Sequence, residues 1–128
     1  MRRPAYTITI ISLVAVAAAI FAMTALGSAT PIKSIPRGPI TATTTSPGQL
    51  TAVALPRPSG AYRGYVWRLA RRYDKHVVRE VGEADVGSNV VVIYRVVGRG
   101  RATLVFGLTR GDNSPIAVKS ITHRIRAN

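Results

Sequence analysis

Apolar and polar residues alternate in short runs from about residue 40 to the end of the chain. The clearest run covers residues 102–108. Its apolar members Ala102, Leu104, Phe106 and Leu108 fall on one face, and Arg101, Thr103, Val105 and Gly107 fall on the other. A period of two indicates a β-strand with one buried face and one face in water.

Further runs rich in β-branched and aromatic residues are separated by turn signals such as Pro56 to Gly60 and Gly98 to Gly100. The predicted strands are 40–44, 50–55, 65–73, 76–81, 89–97, 102–108 and 116–126. In the last run Ile116 and Val118 are out of phase with Ile121 and Ile125, which predicts a bulge near Lys119. About seven short strands between turns are typical of an all-β antiparallel sandwich.

Residues 65–81 also fit a second pattern. Apolar side chains recur there at helical spacing, namely Val66, Leu69, Ala70, Tyr73 and Val77. This spacing would suit a basic amphipathic helix. The β-branched residues within 77–81 and the strands on either side favour two strands instead.

The N-terminal part of the chain has a different character. Arg2 and Arg3 precede an uncharged apolar stretch, 8–26, which as a helix would measure about 28 Å and nearly cross a bilayer. The two arginines predict that the rest of the chain lies outside the cytoplasm. Signal-peptidase cleavage after Gly27 or Ala29 and retention as an anchor both remain open, and the length of the stretch favours an anchor. A buried helix of a soluble domain is a third interpretation.

Composition divides the chain into three parts. Residues 1–29 are the signal peptide or membrane anchor, 30–39 are a Pro/Thr/Ser-rich linker, and 40–128 form the β-domain. A domain of about 90 residues has the size of one compact sandwich.

The charge balance is strongly basic, with 18 Lys+Arg against 5 Asp+Glu and a net charge of +13. Such a field favours polyanions, anionic lipid or an acidic protein. The arginines are spread along the sequence, however, so solvated surface charge also explains them. The chain contains no cysteine, which excludes disulfides, thiolate metal ligands and a cysteine nucleophile.

No catalytic motif surrounds the serine, histidine or acidic residues. Glu80, Glu83 and Asp85 cluster near a predicted turn, where solvated charge is the ordinary explanation. His76 and His123 lie on different predicted strands without a carboxylate at ligand spacing. We therefore expect neither an enzyme nor a metal or other cofactor. Trp67 is expected in the core.

Several framework motifs, taken in order, are similar to the chagasin family, Ig-like domains that inhibit papain-like cysteine proteases. The motifs are Ser-Pro-Gly-Gln-Leu-Thr at 46–51, Gly-Tyr-Val-Trp at 64–67, Gly-Arg-Gly-Arg-Ala-Thr-Leu at 98–104 and the closing run at 121–125. The resemblance covers roughly residues 40–126. It implies an Ig-like sandwich in which three loops at one end enter the protease cleft.

The loops aligned with the inhibitory ones are 60–63, 85–88 and 110–112. The family's Asn-Pro-Thr-Thr is replaced by Gly-Ala-Tyr-Arg, the glycine-rich second loop keeps Gly87, and Arg-Pro-Trp becomes Arg-Gly-Asp. The resemblance implies protein-binding residues Tyr62, Arg63, Gly64, Gly87, Ser88, Arg110, Gly111 and Asp112.

We thus expect an exported protein-binding module that occludes a papain-like cysteine protease. The alternative is a non-inhibitory, basic cell-envelope domain that binds an anionic polymer, a membrane surface or an acidic protein. If residues 8–26 are not cleaved, they contact the membrane directly. Export and the scarcity of stacking aromatic residues argue against nucleic acid as the partner.

Overall fold

A computed structural model of the protein describes residues 30–128. The predicted membrane segment, 8–26, and its candidate cleavage sites lie outside the described residues. Within 30–128 there is no helix long and apolar enough to cross a bilayer.

Seven strands make up the fold, as the alternating pattern predicted. They are β1 (Ile40–Thr45), β2 (Leu50–Pro56), β3 (Val66–Leu69), β4 (Val78–Val86), β5 (Asn89–Val96), β6 (Gly100–Thr109) and β7 (Ala117–Ala127). One turn of 3₁₀ helix, Gly60–Tyr62, lies between β2 and β3.

The strands form two sheets that face each other, one in the order β1-β7-β6-β3 and the other in the order β2-β5-β4. Four strand pairs are antiparallel, but β1 runs parallel to β7. The expectation of a wholly antiparallel sandwich is therefore wrong at this edge. The physical reason is the tight turn after β1, which sends the chain into the opposite sheet, so β1 takes its hydrogen-bond partner from the far end of the sequence.

The core lies between the sheets. In β6 the residues Ala102, Leu104, Phe106 and Leu108 are at most 3% exposed, so the predicted buried face is confirmed. The opposite face is in water at Arg101 and Thr103 only, because Val105 is half-buried and Gly107 is buried. The residues on the buried face point toward β5, whose Tyr94 and Val96 are fully buried. Burying each large apolar side chain contributes about 1.5–3 kcal/mol, and this core is what holds the two sheets together.

Residues 65–81 contain no helix. The predicted strand 65–73 ends at Leu69, and the predicted strand 76–81 begins at Val78 and extends to Val86. A turn separates them, in which the side chain of Asp74 accepts a hydrogen bond from the backbone N–H of His76 at 2.9 Å. Such an Asp side chain competes with regular structure and ends it.

Each sheet contains a bulge. In β7 the register changes so that Leu108 lies opposite Lys119 while Thr109 lies opposite Ala117. Val118 is the extra residue, which confirms the bulge predicted near Lys119.

In β4 the register moves from Glu80 opposite Tyr94 to Gly82 opposite Ile93, with Val81 as the extra residue. An odd sequence separation normally places two strand residues on opposite faces. The bulge instead puts Glu80 and Glu83 on the same face, the one that points toward the other sheet.

Residues 30–39, predicted as a linker, lie in an extended conformation against the outer face of the four-stranded sheet. Ile32 is 5% exposed and covers Gly107, where an added Cβ would lie in tight contact, 3.0 Å from Ala117 Cβ and 3.1 Å from Ile32 Cδ1. Ser34 forms a parallel bridge with Ile116, and the Ser120 hydroxyl donates a hydrogen bond to the Pro36 carbonyl at 2.6 Å. These residues therefore belong to the packed structure.

Candidate functional site

Three connections emerge from the same end of the sandwich, which we call the loop end. They are the first loop, 57–65, the second loop, 87–88, and the third loop, 110–116. Pro56 lies opposite Asn89 in one sheet, and Val66 lies opposite Thr109 in the other. Because the first loop joins these two points, all three loops are neighbours. The structure thus places the predicted binding residues in connections at the loop end, and Gly64 and Asp112 line one groove there.

Contacts between the loops hold them in place. The backbone N–H of Arg57 donates to the Ser88 carbonyl at 2.9 Å, and the Arg57 guanidinium lies 3.2 Å from the Asp85 carboxylate. The backbone contact fixes the second loop against the first. The ion pair is exposed and contributes at most about 1 kcal/mol.

The second loop is a two-residue hairpin turn. Gly87 has a φ of +61°, and no residue other than glycine has a positive φ among those described. A positive φ at the first central position alone is typical of a type II′ turn, which favours glycine there. This turn geometry explains why the second loop retains Gly87, the one glycine that it shares with the glycine-rich loop of the resembled family.

The first loop presents an aromatic pair. The rings of Tyr62 and Tyr65 meet edge to face with centroids 5.3 Å apart. The Lys119 ammonium, carried next to the β7 bulge, lies 4.6 Å from the centre of the Tyr62 ring. Edge-to-face and cation–π contacts each contribute about 0.5–1 kcal/mol, so Tyr62 is held in a defined position. Arg63, by contrast, is exposed.

A groove of about 470 Å³ opens at the loop end. The Gly-Tyr-Val-Trp motif, residues 64–67, lines one side, and Glu83 and Val90 line the other, with Asp112 and Arg57 also contributing. Trp67 lies in the groove and also packs against the core. Its indole N–H donates to the Pro56 carbonyl at 2.8 Å. The expectation of a core tryptophan is therefore correct for one side of the ring only.

Glu80 and Glu83 do not lie at a turn, as the sequence suggested, but inside β4, where both are partly buried. Burial, with the Glu83 charge as the second cause, raises the pKa of Glu80 to about 7. Burial and then the charge of Asp85 raise the pKa of Glu83. The prediction of solvated charge is wrong for these two residues and correct for Asp85, which is exposed.

Glu80 points into the space between the sheets. Its Oε2 atom and the Tyr94 hydroxyl are buried, and neither has a hydrogen-bond partner within residues 30–128. A cavity of about 40 Å³, lined in part by both glutamates and Trp67, lies next to Glu80 and is large enough for an ordered water. The carboxylates are therefore part of the interior beneath the groove.

Arg68 positions the third loop and was missed by the sequence analysis. It is 4% exposed, and its guanidinium donates to Thr109 Oγ1 at 2.9 Å and to the backbone carbonyls of Thr30 and Ser114. The Thr109 hydroxyl in turn donates to the Gly111 carbonyl at 2.7 Å. In the sequence, Arg68 looks like an ordinary outward-facing strand residue. Its burial is not visible there, because the segment that covers it lies about 36 residues earlier.

His123 is buried, and each ring nitrogen faces a threonine hydroxyl of β1. Nδ1 is bonded to Thr41 Oγ1, and Nε2 lies 3.1 Å from Thr43 Oγ1. Burial lowers the pKa of His123, which keeps the ring neutral at physiological pH. Over residues 30–128, no three His, Asp or Glu side chains are grouped so that they could hold a metal ion.

The two facing sheets, with three loops at one end, define a β-sandwich. Among solved structures, the chain is similar to the crystal structure of the cysteine protease inhibitor EhICP2 from Entamoeba histolytica. The TM-score is 0.50 and the identity 14%, and the match covers 71% of this chain and 87% of the inhibitor.

At this identity the similarity establishes a shared fold, and the predicted resemblance to chagasin-like inhibitors is confirmed at that level. No protein-family model and no curated protein sequence matches the chain.

Proposed function

We propose that the protein is exported and occludes the active-site cleft of a papain-like cysteine protease with its loop end. Inhibition of this kind needs no catalysis by the inhibitor, because the loops block the cleft by steric exclusion and hydrogen bonding. The observation that carries the proposal is the convergence of all three loops at one end of a fold shared with a cysteine protease inhibitor.

The chemistry of the first loop independently supports a protein as the binding partner. Tyr62 and Arg63 belong to the residue types that dominate binding energies at protein interfaces. Tyr62 is already fixed by Tyr65 and Lys119, so little conformational freedom is lost when it binds. In the resembled family the corresponding loop is built of small residues, whereas Tyr62 and Arg63 are bulky. We therefore expect a target whose cleft is wide enough to accept a tyrosine ring.

Inhibition assays test this proposal. The purified protein should inhibit papain or a related protease, and Tyr62→Ala should raise the inhibition constant about 30-fold, corresponding to roughly 2 kcal/mol. Arg63→Glu should change the inhibition constant, whereas Arg99→Glu, the same charge change at the opposite end, should not. Absence of inhibition across several papain-like proteases at micromolar protein would refute the proposal.

The position of Thr30 links inhibition to processing of the N-terminus. Its backbone N–H donates to the Asp112 carbonyl of the third loop at 3.0 Å. If residues 8–26 stayed in the bilayer, the few residues up to Thr30 would reach at most about 14 Å. A retained anchor would hold the loop end near the lipid surface, so we propose that the inhibitory form is the cleaved one.

A further inference from the structure

Three arginines that are dispersed in the sequence lie side by side on the outer face of the four-stranded sheet. Arg101 of β6 is directly opposite Arg126 of β7, and Arg124 lies two residues before Arg126 on the same strand. Alternate residues of a strand share a face, so the three side chains point the same way. All three are exposed.

Among residues 30–128, no carboxylate forms an ion pair with these three arginines. None of the four strands in this sheet contains an acidic residue. Within residues 30–128 the ion pairs are Arg57–Asp85 and His76–Asp74, and neither involves these arginines. Like charges directly opposite one another destabilise a sheet, so the arrangement costs stability unless an anion occupies it.

The arginines line a groove of about 480 Å³, to which β1 contributes Thr43 and Thr44 and β6 contributes Thr103. Guanidinium groups bind phosphate oxygens through paired hydrogen bonds, and the hydroxyls of the exposed Thr44 and Thr103 add further donors. Arg124 and Arg126 are roughly 7 Å apart along the strand. Arg101 and Arg126 lie side by side across β6 and β7, and Arg124 lies further along β7, so the three cations form a cluster whose charge exceeds that of a single phosphate.

The shape and composition of the groove further narrow the range of ligands that it could bind. A concave groove fits a linear chain, whereas a lipid surface is flat. None of its nine lining residues is aromatic, so bases would find no stacking platform of the kind used for single-stranded nucleic acid. The groove lies at the start of β6 and the end of β7, opposite the loop end.

We propose that this face binds a linear, base-free polymer of phosphate groups, with the opposed pair Arg101 and Arg126 contacting one part of the polymer and Arg124 contacting the next. The site is separate from the loop end, so the polymer and a protein partner can be bound at the same time. The protein would then be localised on a polyanionic surface polymer with its loops free.

The test uses fluorescently labelled inorganic polyphosphate and the full chain, with binding measured by anisotropy over a range of salt concentrations. The variant Arg101→Gln/Arg126→Gln removes the opposed pair. Its matched control, Arg79→Gln/Arg95→Gln, removes another directly opposed arginine pair from the other sheet. Both variants lower the net charge by the same amount.

Loss of two phosphate contacts should reduce the slope of log affinity against log salt by about 1.4 and lower affinity about 25-fold at 0.1 M salt. The control should change affinity less than threefold. Equal losses in both variants would overturn the proposal, because binding would then follow net charge alone. Tighter binding of anionic vesicles, or of a single-stranded oligonucleotide with the same number of phosphates, would also overturn it.

Because protease inhibition depends on the loop end, the same substitutions in the cleaved protein, residues 30–128, assayed against papain distinguish the two proposals. Arg101→Gln/Arg126→Gln should inhibit as the unchanged protein does. Loss of inhibition in this variant would contradict the separation of the two sites.

Discussion

Replacing Arg68 tests how the segment before β1 and the third loop are held. The side chain is 4% exposed, and its guanidinium donates three hydrogen bonds, to Thr109 Oγ1, the Thr30 carbonyl and the Ser114 carbonyl. Arg68→Met keeps the aliphatic stem and removes all three donors. The acceptors stay behind in a region that is closed to solvent on most sides.

Hydrogen bonds to a charged group contribute about 1.5–3 kcal/mol each. The net loss in Arg68→Met is smaller than the sum of the three bonds, because the substitution also removes the free-energy cost of burying the guanidinium. We therefore expect Arg68→Met to lower the free energy of unfolding by about 3 kcal/mol, a large fraction of the stability of a small domain.

Urea unfolding followed by circular dichroism measures the effect, as a fall of about 2 M in the midpoint at an m-value of roughly 1.5 kcal/mol/M. Arg71→Met is the matched control, since the exposed Arg71 makes only peripheral bonds to the Ile32 and Ala70 carbonyls, and should cost less than about 1 kcal/mol. In a double-mutant cycle with Thr109→Val, the coupling energy should be about 1 kcal/mol. A loss below 1 kcal/mol for Arg68→Met would show that the guanidinium does not hold these segments together.

Two further predictions concern the interior beneath the groove. Because burial raises the pKa of Glu80 from its ordinary value of 4.5 to about 7 in the folded state, the folded state binds the proton more tightly than the unfolded state. The associated stability is present below pH 4.5 and is lost as pH rises through 7, by about 1–2 kcal/mol after allowance for solvent screening. The urea midpoints measured at pH 5 and pH 8 should differ less in Glu80→Gln than in Asp85→Asn. If Glu80→Gln kept the pH dependence of the unchanged protein, Glu80 would not be the group responsible for it. Trp67→Phe removes the indole donor to Pro56 and should cost about 1 kcal/mol in urea unfolding, and no loss would mean that this bond does not stabilise the first loop.

The sequence by itself determined the β class, the approximate strands and the inward face of β6, because a period of two is a local property of the chain. The bulge near Lys119 was also visible, since Ile116 and Val118 break phase with the residues that follow. The motif at 64–67 indicated where the first loop ends, although its role in lining a groove with Glu83 was not visible.

Only the tertiary structure decided the rest. The extra residue Val81 turns Glu83 to the same inner face as Glu80, and no phase break in the sequence announced it. Arg68 is buried by a segment far away in the chain, and Arg101 meets Arg126 only through the β6–β7 register. Side-chain alternation is set by neighbours in sequence, whereas the partner across a strand and the cover over a face are set by residues that the fold brings together.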